Sequence, residues 1–243
     1  MMYGTLCTEF YDIDHQFATA DEINFYKQFL DKNKNILEPM SGSGRLLIPL
    51  MQEGYTIHGV DNSKHMLENC KKRASKLGLN PVLFEGSIES IELPDRYHLI
   101  LIPLGSFQLL YPRGDAFKTL QNFKKHLHPG GKLILDLFVP WDSLYENNEE
   151  IPNEKEVTTS DGGVIKLKSY KHVNKQEQYC FSETAYTRII NGRTVAEENE
   201  EMYLCWYYRY EMELILEKCG FKNIAYRDEF FSDEDHMIFV AES

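Results

Sequence analysis

The sequence predicts an α/β protein: a doubly wound sheet with a C-terminal antiparallel hairpin, plus an inserted antiparallel β lid. Three observations predict it. Short apolar runs alternate with helical segments through the first 140 residues, and two of those runs end in an acid, one beside a glycine-bearing turn. The alternation stops between Trp141 and Trp206, where β-like runs and hairpin turns take over, and a helix with two more strands follows.

Taken in order, Glu9-Phe10-Tyr11-Asp12-Ile13-Asp14-His15 precedes the first helix, which reads from Ala20 to Asp31 with Ile23, Tyr26, Phe29 and Leu30 on one face. Lys34 to Glu38 is a short apolar strand ending in an acid, and it enters the turn Pro39-Met40-Ser41-Gly42-Ser43-Gly44. Gly42 and Gly44 allow a sharp turn and let a ligand approach where a Cβ would block it. Thr56 to Asp61 is a second strand ending in an acid, and Asn80 to Ile88 a third ending in a small-residue loop. Tyr97 to Ile102 is a continuous apolar run of buried-strand type, followed by the small-residue loop Leu104-Gly105-Ser106. The fifth strand is Lys132 to Phe138, with Pro129, Gly130 and Gly131 ending the helix before it. Tyr210 to Gly220 is an amphipathic helix with a glycine stop, and Phe221 to Phe231 and His236 to Ala241 are strands joined by the acidic turn Ser232 to Asp235.

In the interrupting region, Glu146 to Asn153 is a polar bridge. Asp161-Gly162-Gly163 and Asn191-Gly192 are hairpin turns flanked by Val164 to Leu167, Tyr179 to Phe181 and Tyr186 to Ile190. The expected division is a cofactor-binding domain from 1–140 and 207–243, with 141–206 as an inserted lid or substrate subdomain. An insertion after the fifth strand projects over the carboxyl ends of the parallel strands, where ligands bind in open α/β sheets. A homodimer surface is the competing role for it.

Two acids decide the ligand. A dinucleotide requires a third glycine so that its pyrophosphate can rest on the helix N-terminus, but that position is Leu47. Glu38 beside the turn repels pyrophosphate and suits a ligand carrying an ammonium group and no phosphate. S-adenosylmethionine is such a ligand. Asp61, about 20 residues after the glycines, is placed to accept both ribose hydroxyls. The alternative is that both acids merely cap strand ends.

With ILEPMSGSGR, HGVDNSKHML, FEGSIESIEL, YHLILIPLGSFQLL, LHPGGKLILDLF and YRYEMELILEKCGF in this order, the chain resembles the class I S-adenosylmethionine-dependent methyltransferases. The likeness is to the small-molecule group with a glutamate-led glycine loop, and it covers nearly the whole length. It implies a Rossmann-like seven-stranded sheet whose sixth and seventh strands are the terminal antiparallel pair. It implies S-adenosyl-L-methionine as cofactor, held by Tyr11, Glu38, Met40, Ser41, Gly42, Gly44, Asp61, Asn62, Met66, Gly86, Ser87, Ile88, Leu104 and Gly105. Met40 departs from the pattern, standing where the family usually has a small residue. By the same resemblance Tyr11 lies near the sulfonium, where a π face or oxygen favours positive charge; the competing role is packing its helix onto the sheet.

The expected reaction is methyl transfer to nitrogen or oxygen of a small molecule. If the acceptor carries a proton, a base is required, and Tyr11 and His15 are the catalytic candidates, with Tyr111 and His172 behind them. His126 and His128 lie on the far side and form no metal set, so no metal is expected. The resemblance extends to amino-sugar and glycine N-methyltransferases without a residue that selects among them. From other classes stand a non-catalytic S-adenosylmethionine-binding module serving a protein partner and an RNA methyltransferase.

A net charge of −12 argues against nucleic acid, which calls for a basic stripe. At 243 residues and 42% hydrophobic content the chain suffices for one large core with a small lid. Its five cysteines are dispersed and without CxxC spacing, which indicates reduced thiols. No leader-like start and no run of about 20 apolar residues is read, so a cytoplasmic protein without membrane attachment is expected.

Overall fold

The alternation seen in the sequence becomes a central sheet in the computed structural model, which describes residues 3–145, 152–228 and 236–243. The turn Ser232 to Asp235 and residues 146–151 of the polar bridge lie outside the described residues. Two helices come first, α1 (Thr5–Asp14) and α2 (Ala20–Lys27). There follow β1 (Ile36–Pro39), α3 (Leu47–Gln52), β2 (Ile57–Asp61), α4 (Lys64–Ser75), β3 (Val82–Glu85) and β4 (Tyr97–Ile102). A 3-10 turn over Ser106–Leu109 leads to α5 (Arg113–His126) and β5 (Leu127–Phe138). Next are α6 (Trp141–Tyr145), β6 (Asn153–Thr158), β7 (Val164–Asn174), β8 (Tyr179–Ile190) and β9 (Arg193–Cys205). The last three are α7 (Arg209–Lys218), β10 (Lys222–Arg227) and β11 (His236–Glu242).

The large sheet has seven strands in the order β10-β11-β5-β4-β1-β2-β3. β1 to β5 run parallel, and β11 is antiparallel to both β5 and β10. The order reverses between β4 and β1, which opens a crevice at their carboxyl ends. Side chains alternate between two buried layers. Leu99 and Leu101 of β4 join Leu47, Ile48 and Cys70 on one face, whereas Ile100 and Ile102 join Leu120, Phe123 and Leu216 on the other. Coverage on both faces is why these strands read as unbroken apolar runs.

The insertion is a four-stranded antiparallel sheet, β6-β7-β8-β9. Its turns fall where the sequence places them, with Gly162, Asn191 and Gly192 at positive φ. It rests on α1 through a third apolar cluster that includes Leu6, Cys7, Phe10, Ile165 and Tyr186.

Four boundaries differ from the sequence reading. The segment Glu9 to His15 is not an approach to the first helix: Glu9 to Asp14 lie within α1 and His15 caps it. Its N-terminal amides are satisfied from far away, since Gly4 N–H donates to Glu200 Oε1 (2.7 Å), and Leu6 and Cys7 N–H donate to the Glu198 carboxylate (3.1 and 2.9 Å). α2 begins at a Thr19–Glu22 capping box but stops at Lys27 rather than Asp31. α5 ends at His126, and Pro129 to Gly131 lie inside β5, in an irregular stretch of the β4–β5 pairing. Tyr179 to Phe181 and Tyr186 to Ile190 are one strand, because β7 and β9 pair along its length.

Candidate active site

Glu38 and Asp61, at the carboxyl ends of β1 and β2, are buried at the crevice. Glu38, in β1, is 3% exposed, and its Oε2 has no hydrogen-bond partner among the described residues. Burial pushes its carboxyl up to about 8, with Arg45 opposing and Asp61 and Glu22 reinforcing the rise. A buried carboxylate oxygen left unpaired calls for a donor from a ligand. Asp61, at the end of β2, is tied differently: Oδ2 accepts from Gly42 N–H (2.8 Å) and Oδ1 from Ser63 N–H (2.8 Å). Burial raises its pKa while these backbone donors oppose the rise. Each of its oxygens retains a lone pair for a further donor.

The loop between β1 and α3 is shaped by left-handed backbone. Met40 has φ +57°, Gly42 +54° and Gly44 +81°. A small residue suits position 40 because this region penalises a side chain; Met40 adopts it and lines the cavity. The two glycines do different jobs. A Cβ on Gly42 would meet nothing nearer than Met66 Sδ at 3.8 Å, whereas one on Gly44 would lie 2.6 Å from Cys70 Sγ and 2.9 Å from Ile48. Gly44 therefore meets a packing demand from α3 and α4.

A cavity of about 520 Å³ opens over these groups, a size suited to a small cofactor with its substrate. Of the residues expected at the cofactor, Tyr11, Glu38, Met40, Ser41, Gly42, Asp61, Asn62, Met66, Gly86, Ile88 and Leu104 line it. Gly44, Ser87 and Gly105 do not: the Ser87 hydroxyl turns to Glu89, and a Cβ on Gly105 would meet the Phe138 ring. His15 is also off the wall, stacked on Tyr11 at 4.7 Å, with its pKa lowered by burial against the opposing pull of Asp14. Tyr111 is on the wall; His172 lines a neighbouring cleft and faces Glu183. His126 is structural, accepting from Leu93 N–H at Nε2 (3.0 Å) and bonding the Asn122 carbonyl at Nδ1 (2.9 Å).

The cavity also receives Tyr3, Arg45, Ser106, Glu201 and Tyr203, which the sequence reading did not single out. Arg45 grips Glu22 through both terminal nitrogens, and its Nε has no partner among the described residues. Tyr3 lies just ahead of α1 and Tyr11 within it, and burial raises both phenols, so they stay protonated near neutrality. α1 is clamped to the glycine loop by Asp12, which takes Arg73 (2.9 Å), Asn69 (3.0 Å) and the Ser43 hydroxyl. Leu104, at φ +51°, is held from below: its N–H donates to Asp136 Oδ2 (2.9 Å), which also accepts the Tyr26 hydroxyl (2.6 Å). His236 Nδ1 stands 2.7 Å from the other Asp136 oxygen. No group of residues suited to a metal ion occurs among the described residues.

Residues 30–207 match a protein family described as "Methyltransferase domain". Among curated proteins, the chain is 30% identical over 128 residues to the glycine/sarcosine N-methyltransferase of Halorhodospira halochloris, 51% of this chain and 48% of that protein. The chain thus spans about half the length of the curated relatives it matches. Among solved structures, an S-adenosylmethionine-dependent methyltransferase from Clostridium acetobutylicum ATCC 824 superposes with TM-score 0.74 at 17% identity, covering 96% of this chain and 95% of that one. The sugar N-methyltransferase KedS8 from Streptoalloteichus sp ATCC 53650 gives 0.73 at 14% identity, over 92% and 87%. These superpositions establish a shared fold across nearly the whole length.

Proposed function

The chain belongs to the methyltransferase domain family, and on that premise we propose that it moves a methyl group to a nitrogen or oxygen atom of a small molecule. Its cofactor is S-adenosylmethionine. The observation that carries this reading is the unpaired, buried Glu38 Oε2 beside Asp61 at the ends of adjacent strands. Glu38 fits an ammonium, Asp61 fits a ribose diol, and the free Nε–H of Arg45 fits a carboxylate. The cofactor, when bound, supplies a methyl group already activated on a sulfonium.

The chain's own residues then have three tasks. Gly86 and Ile88 border the adenine end, with Leu104 opposite, its backbone fixed by Asp136. Tyr11 offers its ring and hydroxyl near the reacting end, where a π face and an oxygen stabilise positive charge. The inserted sheet, 141–206, is the acceptor-side lid over a cofactor domain made of 1–140 and 207–243; Tyr203 from it and Tyr111 wall off water and orient the acceptor. The charge of −12 favours a small acceptor over nucleic acid.

Calorimetric titration with S-adenosylmethionine and, separately, NAD tests the assignment. Binding of the first alone, lost in Asp61→Ala, is expected; NAD binding, or unchanged affinity in the variant, overturns it.

A further inference from the structure

We propose that the acceptor is an amine that reaches the site as an ammonium ion carried on a flat or ring-shaped body, selected by Glu201 and the Tyr111–Tyr203 wall. The inference rests on the methyltransferase reading above, but its grounds are Glu201 and the aromatic wall that the lid forms with Tyr111. Five ionisable carboxyl and guanidinium side chains line the cavity: Glu38, Asp61, Glu89, Glu201 and Arg45. The single cation is already answered by Glu22, which it grips bidentately. Glu38 and Asp61 sit at the cofactor end, and Glu89 holds the Ser87 hydroxyl on the loop after β3. Glu201 remains. It comes from β9 on the lid side, where its side chain is exposed, and among the described residues no side-chain hydrogen bond or ion pair reaches it.

Across the ladder Glu201 lies opposite a second acid, Glu183 of β8, and along its own strand the cavity wall is aromatic. Two residues along β9, Tyr203 stacks on Tyr111 with ring centroids 3.8 Å apart and planes within 5° of parallel. Tyr179 meets both rings edge-on at 5.5 Å, and Phe181 packs on Tyr203 at 4.7 Å. A carboxylate without a counter-ion beside electron-rich ring faces attracts a cation twice over, by charge and by the ring quadrupole. A neutral alcohol gains neither. The cleft beyond Tyr203 offers no competing free cation: Lys175 donates to the Leu144 carbonyl (2.6 Å) and His172 faces Glu183.

Glu201 thus recognises the charged form, while only the neutral amine reacts. The ammonium first gives its proton to water. The nitrogen lone pair then forms the new N–C bond as the methyl–sulfur bond breaks, with that bond's electron pair retained by sulfur.

Matched probes test this without knowledge of the natural acceptor. The protein is saturated with S-adenosylhomocysteine, and benzylamine and benzyl alcohol are titrated at neutral pH by saturation-transfer NMR. Benzylamine is expected to bind about tenfold more tightly than the alcohol. That advantage is expected to vanish in Glu201→Gln, with the affinity for S-adenosylhomocysteine unchanged. Equal binding of the two probes, binding of neither, or an advantage that persists in Glu201→Gln overturns the acceptor assignment and leaves the cofactor reading standing. Failure of the cofactor to bind at all overturns the methyltransferase reading, and this proposal with it.

Discussion

Replacing Glu38 by Gln separates what the site gains from this residue from what the fold loses by it. The carboxyl is 3% exposed and its pKa is pushed from 4.5 up to about 8 by burial. The folded protein therefore holds this proton more tightly than the unfolded chain does. Its contribution to stability is complete below pH 4.5 and is lost progressively as pH rises to about 8. A rise of that size corresponds to on the order of 5 kcal/mol between the two ends of the window. Glutamine is neutral throughout and has nearly the same shape. Ligand-free Glu38→Gln is thus expected to melt with the wild type near pH 5 and well above it at pH 8. Binding should move the other way. A charge-assisted hydrogen bond contributes about 1.5–3 kcal/mol, so at pH 8 the variant should bind S-adenosylmethionine roughly 10- to 100-fold more weakly. In the wild type, affinity should fall by up to about tenfold per pH unit below 8, as the carboxylate takes up its proton. Thermal unfolding at the two pH values, with calorimetry from pH 6 to 8, checks both arms. Equal melting temperatures at pH 8, or a wild-type affinity that ignores pH across that range, would refute the reasoning.

Three further outcomes are expected. Tyr26→Phe removes the hydroxyl that donates to buried Asp136, and urea unfolding should show a loss of about 1–3 kcal/mol with an unchanged slope. Gly44→Ala forces a Cβ to within 2.6 Å of Cys70 Sγ at φ +81° and should cost about 2 kcal/mol by the same measurement, whereas a neutral result would contradict its packing role. Glu198→Ala frees the N–H groups of Leu6 and Cys7; hydrogen exchange in α1 should quicken about tenfold while the central strands are unaffected, consistent with about 1 kcal/mol for a lost helix cap.

The inner parallel strands β1 and β4 were legible because each is a local apolar run, buried on both faces, and needs no distant partner to be recognised. The same holds for Glu38 and Asp61, whose meaning follows from ending adjacent strands of one sheet. At Gly44 the local pattern reveals the permissive backbone, found at φ +81°, but not the Cys70 and Ile48 side chains that leave no room for a Cβ. The fifth strand was read too short because proline and glycine signal a turn locally, and only pairing with β4 carries the strand through them.

Sequence by itself determined the layered α/β frame, the hairpin insertion and the two acids of the crevice, all features encoded in short-range periodicity and spacing. Tertiary structure alone decided that Thr5 to Asp14 is a helix. Its first amides find their acceptors in Glu198 and Glu200, about two hundred residues later, on a strand of the inserted sheet. The same docking brings Tyr3, Glu201 and Tyr203 to the cavity. A cap or a cavity wall assembled from opposite ends of a chain leaves no periodic trace, because the groups that satisfy one another are neighbours only after folding.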